Sequence, residues 1–346
     1  MKFGVMHLFP AEGDDDAQVL RDTLEEIELA DRLGFDSCWL AEHHFSRYGI
    51  LGNPLMLGTA IAERTRNITI GTAVVVVPLH DPLRIAEDAA LLDILSGGRL
   101  VLGIGRGYQP VEFRGFGKDR NANKEMYAEI VDILKLAWTE ENWSYEGRHY
   151  QYRDMNVFPK PITPGGPPIL HGTSSPETFR KRGLAGDRII VSSSFTPMRR
   201  IKDNYDSYRK ALAEAGHPID GFDLPFMQQV WVGDGEDGLQ AAAAAALNYY
   251  RSVGRVIPGS EEAIESEREY YEKVQRNIGL LTLEKTLTHG GTFGSVDRVV
   301  DTIGRIRDEL GVTHYIGWFH IPSLDRRRVL ASMEEFAEKV IPQLRD

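Results

Sequence analysis

Short apolar runs alternate with amphipathic segments along the whole sequence, and this rhythm restricts the fold more than any other feature. Apolar runs of about four to eight residues are typical of buried strands, and apolar residues at helical spacing are typical of helices. Their alternation predicts β/α units around a parallel sheet. Eight units close a barrel, so we predict an α/β fold, an eight-stranded parallel β/α (TIM) barrel with insertions. The predicted strands are residues 3–9, 36–44, 67–77, 99–107, 167–172, 187–194, 226–233 and 314–321.

The 346 residues exceed the roughly 250 of a typical β/α barrel and fall short of two comfortable average domains. We therefore predict a single domain over residues 1–346, with insertions at about 140–166 and 255–291. Two separate α/β domains would need a linker rich in Pro and Gly, for which PKPITPGGPP (159–168) is the one candidate. The strand and helix rhythm continues on both sides of this stretch, so we interpret it as the rim of an insertion.

The charge balance excludes two classes of partner. Lys and Arg total 40 against 51 Asp and Glu, which gives a formal net charge of −11. Such a chain is repelled by phosphate backbones and anionic lipid, so we expect no nucleic-acid and no membrane partner. The N-terminal residues, with one lysine, a short apolar run and three aspartates, are unlike a signal peptide, and we expect a cytoplasmic protein. The single cysteine, Cys38, provides neither an intrachain disulfide nor a thiolate metal cluster.

Polar side chains at strand ends are the first candidates for chemistry, because active sites in such barrels are built at the carboxyl ends of the strands. The second predicted strand ends in Glu42, His43 and His44. Neighbouring strand residues point to opposite sides, so one imidazole should face the barrel mouth and the other should pack beneath a loop. The histidines could be structural, metal ligands, or acid–base groups. Zinc takes three or four spaced ligands, which no second motif supplies, so we predict no metal.

The stretch GIGRGYQP (103–110) carries a glycine at every second position. It lacks the Gly-x-Gly-x-x-Gly spacing of a dinucleotide fingerprint, and loop residues are expected after its proline. We interpret Gly103, Gly105 and Gly107 as space for a flat or bulky group, with Arg106 as a fixed charge. The alternative is a surface arginine beside turn glycines.

Three hydroxyl residues, Thr173, Ser174 and Ser175, stand at a predicted helix start. Hydroxyls, free backbone amides and the positive end of a helix dipole form an anion site that suits a phosphate. A plain capping motif, the alternative, needs only one hydroxyl. Arg106 or Lys124 from the neighbouring unit would complete a phosphate clamp. A phosphate site, a glycine-lined space and an acid–base group together suggest a phosphorylated planar cofactor.

Four longer stretches carry a resemblance to a known family: AEHHFSRYGILGNP (41–54), the run from IGTAVVVVPLHDP to GIGRG (70–107), FRGFGKDRN (113–121) and the run from GSVDRVV to IGWF (294–319). The sequence resembles the bacterial luciferase-like, flavin-dependent monooxygenases and has the pattern of the luciferase alpha subunit. The resemblance covers most of the chain, is strongest over residues 35–123 and is weak over about 216–291.

This resemblance implies an eight-stranded barrel that binds reduced FMN delivered by a separate flavin reductase. It implies a reaction with dioxygen, through a flavin hydroperoxide, that oxygenates a small or medium organic substrate. The family commonly forms dimers through helices near the second and third strands, so a homodimer is expected. Phe9, Phe45, Tyr108 and Trp318 near strand ends suggest an apolar substrate space, although each could equally belong to the core.

By position, the resemblance implies catalytic roles for His43, which matches the family's catalytic histidine, and for Glu42, which matches the acidic residue before it. Ala73 and Val74 match a cis peptide bond beside the flavin ring. One departure lies at Gly105, where the luciferase alpha subunit has a reactive cysteine, and it removes a thiol and opens space.

The resemblance also implies an FMN-phosphate site. Arg106 and Lys124 match two arginines that hold the phosphate, and Thr173, Ser174 and Ser175 match a hydroxyl-bearing phosphate loop. Lys124 is the second departure, because lysine keeps the charge of an arginine but loses its bidentate fork.

Three other functions remain open. A deazaflavin could replace FMN on the same fold and transfer hydride. A non-catalytic flavin-binding protein, similar to the nonfluorescent flavoproteins, is disfavoured because both His43 and Glu42 are retained. An unrelated barrel hydrolase is disfavoured because neither a metal-ligand set nor a nucleophile elbow is present.

Overall fold

The structure is a computed structural model that describes residues 1–11, 13, 15–191, 196–219, 222–259 and 262–345. Residues 192–194 of the sixth predicted strand lie outside this range. The strands are β1 (Lys2–His7), β2 (Ser37–Leu40), β3 (Thr69–Thr72), β4 (Val75–Val76), β5 (Leu100–Gly105), β6 (Trp143–Glu146), β7 (Gln151–Met155), β8 (Ile169–Gly172), β9 (Arg188–Ile190), β10 (Pro225–Val232), β11 (Thr292–Gly294) and β12 (His314–Trp318).

Helices follow most of these strands. Short 3₁₀ turns cover Val77–Leu79, Arg120–Ala122 and Glu265–Glu267, and π-helical turns cover Thr286–Gly290 and Phe336–Val340. The α-helices are α1 (Asp16–Leu33), α2 (Pro54–Arg64), α3 (Pro82–Ser96), α4 (Pro110–Gly115), α5 (Asn123–Thr139), α6 (Pro176–Ala185), α7 (Met198–Glu214), α8 (Glu236–Val256), α9 (Arg268–Gly279), α10 (Leu283–Lys285), α11 (Val296–Leu310), α12 (Arg326–Glu335) and α13 (Ile341–Leu344).

Ten strands form one curled parallel sheet in the order β11-β10-β12-β1-β2-β3-β5-β8-β9, with β4 paired to β5 beside this path. The last long strand pairs with the first, Lys2 lying beside His314. Within the described residues the paired path ends at β9 and at β11, although β9 and β10 contact each other. The predicted α/β parallel architecture is confirmed, with ten strands in the sheet where eight were predicted.

The two additional strands have local causes. The predicted third strand divides into β3 and β4, and the Ala73–Val74 peptide bond between them is cis. This is the cis bond that the resemblance implied. The other addition, β11, is three residues long, too short to stand out from its surroundings in the sequence, and it pairs with the end of β10.

Two segments stand outside the sheet. β6 and β7 form an antiparallel hairpin in which Tyr145 lies opposite Tyr152, within the range where an insertion was predicted. The second range contains α9 and the three-residue α10, and Tyr271, Val274 and Ile278 of α9 recur at helical spacing and pack against the core cluster that includes Met227 and Trp318.

Helix boundaries follow capping chemistry that the sequence carries. α1 begins after Asp15, whose carboxylate accepts a hydrogen bond from the Ala17 amide, and it ends at Gly34, which takes a left-handed φ of 80°. The apolar residues that recur at helical spacing from Ala17 to Leu33, followed by a glycine, predict this helix from the sequence, and the observed helix begins one residue earlier. One prediction is wrong: the residues after Pro110 are not loop, because α4 begins at this proline, a residue suited to the first helical position.

The core has two layers. One lies between the sheet and the surrounding helices, where Ile27 and Ala30 of α1 are fully buried. The other lies inside the curl of the sheet and includes Met6, Trp39 and Ile316. Cys38 is buried in the first layer, and burial raises the pKa of its thiol to about 12, so it is unreactive at neutral pH. No helix in the described part of the chain is long and apolar enough to cross a bilayer.

Candidate active site

A cavity of about 340 Å³ opens at the carboxyl ends of the parallel strands, on top of the inner core layer. Its wall includes most of the residues that the sequence singled out, from the segments that follow β2, β3, β5 and β8. These are Glu42, His43, Ala73, Val74, Arg106, Thr173 and Ser174. The remaining two predicted residues are outside this lining: Lys124 is exposed in the first turn of α5, and Ser175 caps α6.

His43 is held by a buried carboxylate. It follows β2, is 8% exposed, and its Nδ1 atom lies 3.1 Å from Oε1 of Glu112. The side-chain amide of Gln109 lies 3.0 Å from the same nitrogen. We assign the Nδ1 proton of His43 to the bond with the Glu112 oxygen, in which case the Gln109 amide nitrogen, itself a donor, makes no hydrogen bond to Nδ1. This assignment leaves Nε2 as the nitrogen that can exchange a proton with a bound molecule.

Glu112 reaches His43 because α4 starts directly after β5 and brings its first turn against the end of β2. The same Oε1 accepts a hydrogen bond from the backbone amide of His44 at 3.1 Å. Sequence reasoning missed Glu112 because it treated these residues as loop. Pro110 followed two residues later by an acidic residue is a helix-start pattern that could have revealed it.

His44 is not in the cavity lining and joins a second cluster. The two imidazoles diverge as predicted, but β2 ends at Leu40, so the predicted strand end at His44 is wrong and the alternation of a regular strand is not the cause. Nε2 of His44 donates to Oε1 of Glu42 at 2.8 Å, and Nε2 of His80 donates to the same oxygen at 2.7 Å. The other oxygen of Glu42 accepts from the Val76 amide at 2.9 Å. Glu42 thereby joins the segment after β2 to the segment that contains β4. His80 was missed because it is 38 residues away in sequence.

Hydrogen bonding overrides burial at this cluster. Burial acts to raise the pKa of Glu42, but the hydrogen bonds from His44 and His80 outweigh it, so the pKa is lowered. Burial likewise acts to lower the pKa of His80, but the hydrogen bond and negative charge of Glu42 outweigh it, so that pKa is raised. The three side chains are close enough for metal ligation. Ligand atoms of a tetrahedral zinc would lie about 3.3 Å apart, however, and these nitrogen–oxygen distances are those of hydrogen bonds.

The three hydroxyl residues after β8 have different tasks. Thr173 is buried, and its hydroxyl donates to the His171 carbonyl at 2.9 Å. The Ser175 hydroxyl accepts from the Thr178 amide at the start of α6. Ser174 is exposed to the cavity, where its side chain bonds that of Tyr270 in α9. Ser174 therefore presents the hydroxyl that faces a ligand at the start of α6.

Two arginines lie near Glu267, a residue of the cavity wall. Arg106 follows β5, and its guanidinium lies 3.6 Å from Oε1 of Glu267. Arg120 lies 3.8 Å from Oε2 of Glu267 and donates to the Tyr108 carbonyl at 2.8 Å. Arg120, which was not predicted, thus contacts the carboxylate that faces Arg106, whereas Lys124 lies in exposed surface.

The glycines after β5 do not all provide ligand space. A side chain at Gly103 would collide with the backbone carbonyl of Thr72, so this glycine serves the close approach of β3 and β5. A side chain at Gly105 would collide with Val74, which lines the cavity. Gly107 has a φ of 73° at the turn that follows. The predicted role for Gly103 is corrected to strand packing.

The four aromatic candidates divide evenly. Tyr108 and Trp318 line the cavity. Phe9 is buried in the outer core layer, and Phe45 is 59% exposed and packs against Phe116, so these two are not part of the wall.

The side chains fit a molecule with an anionic end and a planar body. The Ser174 hydroxyl, the Arg106 guanidinium and the start of the ten-residue helix α6 gather at one part of the wall. Many of the other wall residues are aromatic or aliphatic, and His43, Asn204 and the carboxylates Glu42, Glu112 and Glu267 lie among them. The fold and this cavity define an α/β enzyme whose site lies at the carboxyl ends of parallel strands.

Comparison with known proteins agrees with this description. The profile of the luciferase-like monooxygenases matches residues 1–314. The alkanal monooxygenase alpha chain of Photobacterium leiognathi is 28% identical over 353 aligned residues, covering 96% of each chain. The oxygenase component of a flavin-dependent trigonelline monooxygenase from Acinetobacter baylyi is 24% identical, covering 94% of this chain and 90% of that protein.

Solved structures share the fold. The monooxygenase RslO1 of Streptomyces bottropensis superposes with a TM-score of 0.85 at 24% identity, covering 99% of both chains. The oxygenating constituent of 3,6-diketocamphane monooxygenase from Pseudomonas putida, solved with FMN, gives 0.82 at 20% identity over 99% of this chain and 98% of that one. An F420-dependent secondary alcohol dehydrogenase gives 0.78 at 18% identity over 100% and 99%. The chain belongs to the luciferase-like monooxygenase family and is a flavin-dependent monooxygenase.

Proposed function

We propose that the protein is the oxygenase of a two-component, FMN-dependent monooxygenase that oxygenates a small or medium organic substrate with dioxygen. The observation that carries this proposal is one cavity whose wall contains His43, Arg106 and Ser174 in a chain of this family. Reduced FMN, when bound, supplies the electrons that activate dioxygen.

The phosphate end of FMN is assigned to Arg106, Thr173 and Ser174, with the amides at the start of α6 as further donors. The Ser174 hydroxyl is the proposed hydroxyl donor because it is exposed to the cavity, and it would exchange its bond to Tyr270 for one to the phosphate. Lys124 keeps a proposed role as a long-range positive charge at the rim. Ala73 and Val74 form the wall against which the flavin ring would pack.

His43 is the proposed acid–base group. Its Nδ1–H is fixed by Glu112, which holds the ring in one orientation and one tautomer. Nε2 can then accept a proton from the reacting molecule or return one to it. Glu42 acts at one remove, because its carboxylate orients the adjoining segment rather than facing His43.

A separate flavin reductase is the proposed partner. The trigonelline relative is described as an oxygenase component, which supports a division of labour of this kind. The chain is further proposed to work in the cytoplasm, where its single cysteine stays reduced.

The proposed architecture is one domain with insertions at about 140–166 and 255–291, closed into a barrel where β9 adjoins β10. A homodimer is proposed through α2 and α3, which pack side by side. Their outer faces expose Met56 (71%), Leu91 (45%) and Leu95 (43%), apolar area that a second copy would cover. Sedimentation of wild type and Leu91→Lys measures this, with a shift toward monomer expected for the variant.

The central experiment is anaerobic titration of the purified protein with FMN and with the deazaflavin F420, each oxidised and reduced. We expect reduced FMN to bind most tightly, and aerobic turnover to need a reductase in the assay. Structural neighbours that use F420 make hydride transfer on a deazaflavin the second candidate. Preferential binding of F420, with substrate turnover in the absence of dioxygen, would replace the proposed function by that candidate.

A further inference from the structure

A continuous row of five rings, one of them the imidazole of His43, lines one wall of the cavity. Trp318 packs edge-on against Tyr249 at a centroid distance of 4.6 Å, and Tyr249 stacks on Tyr48 at 5.7 Å. Tyr48 meets the His43 ring at 4.7 Å, and Tyr108 meets it from the other side at 6.4 Å. Each separation lies in the range of favourable aromatic pairs. The five residues are called the aromatic row below.

The three tyrosines and the tryptophan of the aromatic row carry no charge at neutral pH. Burial raises the pKa values of Tyr48, Tyr108 and Tyr249, so their hydroxyls stay protonated at neutral pH. Among the described residues of the wall, Arg106 is the one lysine or arginine, and it faces Glu267. An anionic substrate beside this row would lose its hydration without gaining a counter-ion.

The row also carries one unsatisfied donor. The tyrosine hydroxyls serve each other, since Tyr249 donates to Tyr48 at 2.7 Å. Trp318 is 5% exposed, and its indole N–H has no hydrogen-bond partner among the described residues. A buried donor without a partner costs free energy, which a ligand oxygen in the cavity would recover.

We propose that the aromatic row is the site for the organic substrate and that it selects a neutral, planar aromatic molecule bearing a hydroxyl or carbonyl oxygen. The ring stacks along Tyr48 and Tyr249, and the oxygen accepts the Trp318 N–H. This placement holds the aromatic ring beside His43, so the inference deepens the proposed function and rests on it. Saturated molecules and carboxylates of equal size should bind more weakly. A saturated molecule loses the ring contacts, and a carboxylate buries its charge without a counter-ion.

Calorimetric titration with three matched probes tests the inference: 2-naphthol, its saturated analogue decahydro-2-naphthol, and 2-naphthoate. Titrations use the flavin-free protein and the protein saturated with oxidised FMN. We expect 2-naphthol to bind about tenfold more tightly than either other probe, the difference that one or two aromatic contacts provide. Equal binding of the saturated analogue, tighter binding of 2-naphthoate, or no binding of 2-naphthol would overturn the proposal.

Substitutions in the aromatic row test whether its residues cause the selectivity for 2-naphthol. Tyr249→Leu should weaken 2-naphthol binding about tenfold and leave decahydro-2-naphthol within about twofold. Trp318→Leu removes the N–H as well as a ring, so it should weaken both probes, and 2-naphthol more than decahydro-2-naphthol. Trp318→Phe keeps a ring but removes the N–H, and should reduce the preference for 2-naphthol over naphthalene. Tyr152→Leu, in the hairpin outside the cavity, is the matched control and should change nothing. Circular dichroism establishes that each variant is folded, and a selectivity that survives both leucine variants would contradict the assignment.

The two proposals fail separately. Aromatic selectivity without any FMN binding would remove the proposed cofactor and leave the row as a binding site. FMN binding with no aromatic selectivity would keep the proposed function and remove this inference.

Discussion

Two adjacent histidines, each bonded to a buried glutamate, have opposite surroundings. His43 lines the cavity, and Glu112 engages one of its ring nitrogens. His44 and His80, neither of which lines the cavity, both bond Glu42, and this carboxylate also accepts from a backbone amide. The first arrangement leaves a nitrogen available to a ligand, whereas the second uses the carboxylate to join two chain segments. The same two residue types therefore differ in how many polar atoms remain available to a ligand, and this difference is the basis of the chemical role proposed for His43.

The largest division between the two histidines should be in turnover. His43→Ala should reduce product formation about 10²–10⁴-fold, the usual contribution of one acid–base group. FMN affinity should remain within about twofold, because the proposed phosphate donors lie elsewhere. Turnover with reduced FMN and a supplied reductase measures the first quantity and equilibrium titration the second. Wild-type turnover in this variant would remove the difference between the two histidines.

The next largest effect should be on the stability that the cluster of Glu42, His44 and His80 provides. Glu42→Ala leaves two buried imidazoles and the Val76 amide without their acceptor. The free energy of unfolding should fall by about 3 kcal/mol, as for removal of one partner from a buried charged pair. Urea denaturation at pH 7 measures the change, and Glu63→Ala on the exposed face of α2 is the control. A loss below about 0.5 kcal/mol would mean that the cluster does not stabilise the contact between the two chain segments.

Glu112→Gln sharpens the role of the cavity-side glutamate. Glutamine keeps the size and one acceptor oxygen but removes the charge that orients the His43 ring. We expect kcat to fall about tenfold, within the range for acid–base assistance, with FMN affinity unchanged. Glu112→Asp, which restores the charge, should recover part of the loss. A loss of FMN binding that parallels the loss of kcat would instead indicate collapse of the wall.

The smallest effect should be a pH-dependent one at His80. Its pKa is raised in the folded protein, so its contribution to stability is complete below the unfolded value of about 6.5 and is lost as pH rises through the folded value. His80→Gln should therefore lower the free energy of unfolding by about 1 kcal/mol at pH 6, and by less at pH 9. Thermal denaturation of wild type and variant at both pH values measures the difference. A larger loss at pH 9 would contradict the sign.

Much of the fold follows from local patterns. The apolar runs located the long strands, and capping residues such as Asp15 and Gly34 set helix ends to within one residue. The division of the third strand escaped detection, because neither a proline nor a charged residue between Ile70 and Val77 marks the break after Thr72. The three-residue strand β11 escaped for a related reason, since its residues carry too little pattern to distinguish a strand from a turn.

The site was predictable only where its residues are close in sequence. The divergence of the adjacent His43 and His44 was expected, although β2 ends at Leu40 and the alternation of a regular strand is not its cause. The partners Glu112 and His80 come from other β/α units, 69 and 38 residues from the groups they bind. The position of Lys124 outside the cavity lining reflects helix orientation, which no short motif encodes.

Arg106 forms an ion pair with Glu267. If a phosphorylated cofactor binds Arg106 as proposed, its phosphate must replace the Glu267 carboxylate. The guanidinium already has a negative neighbour from the chain, and that neighbour precedes α9, the helix whose Tyr270 bonds Ser174. A phosphate that takes both Arg106 and Ser174 must compete with two contacts of one segment at once. Under the proposed function, cofactor binding would thus break these two contacts of Glu267 and Tyr270, and departure of the cofactor would restore them.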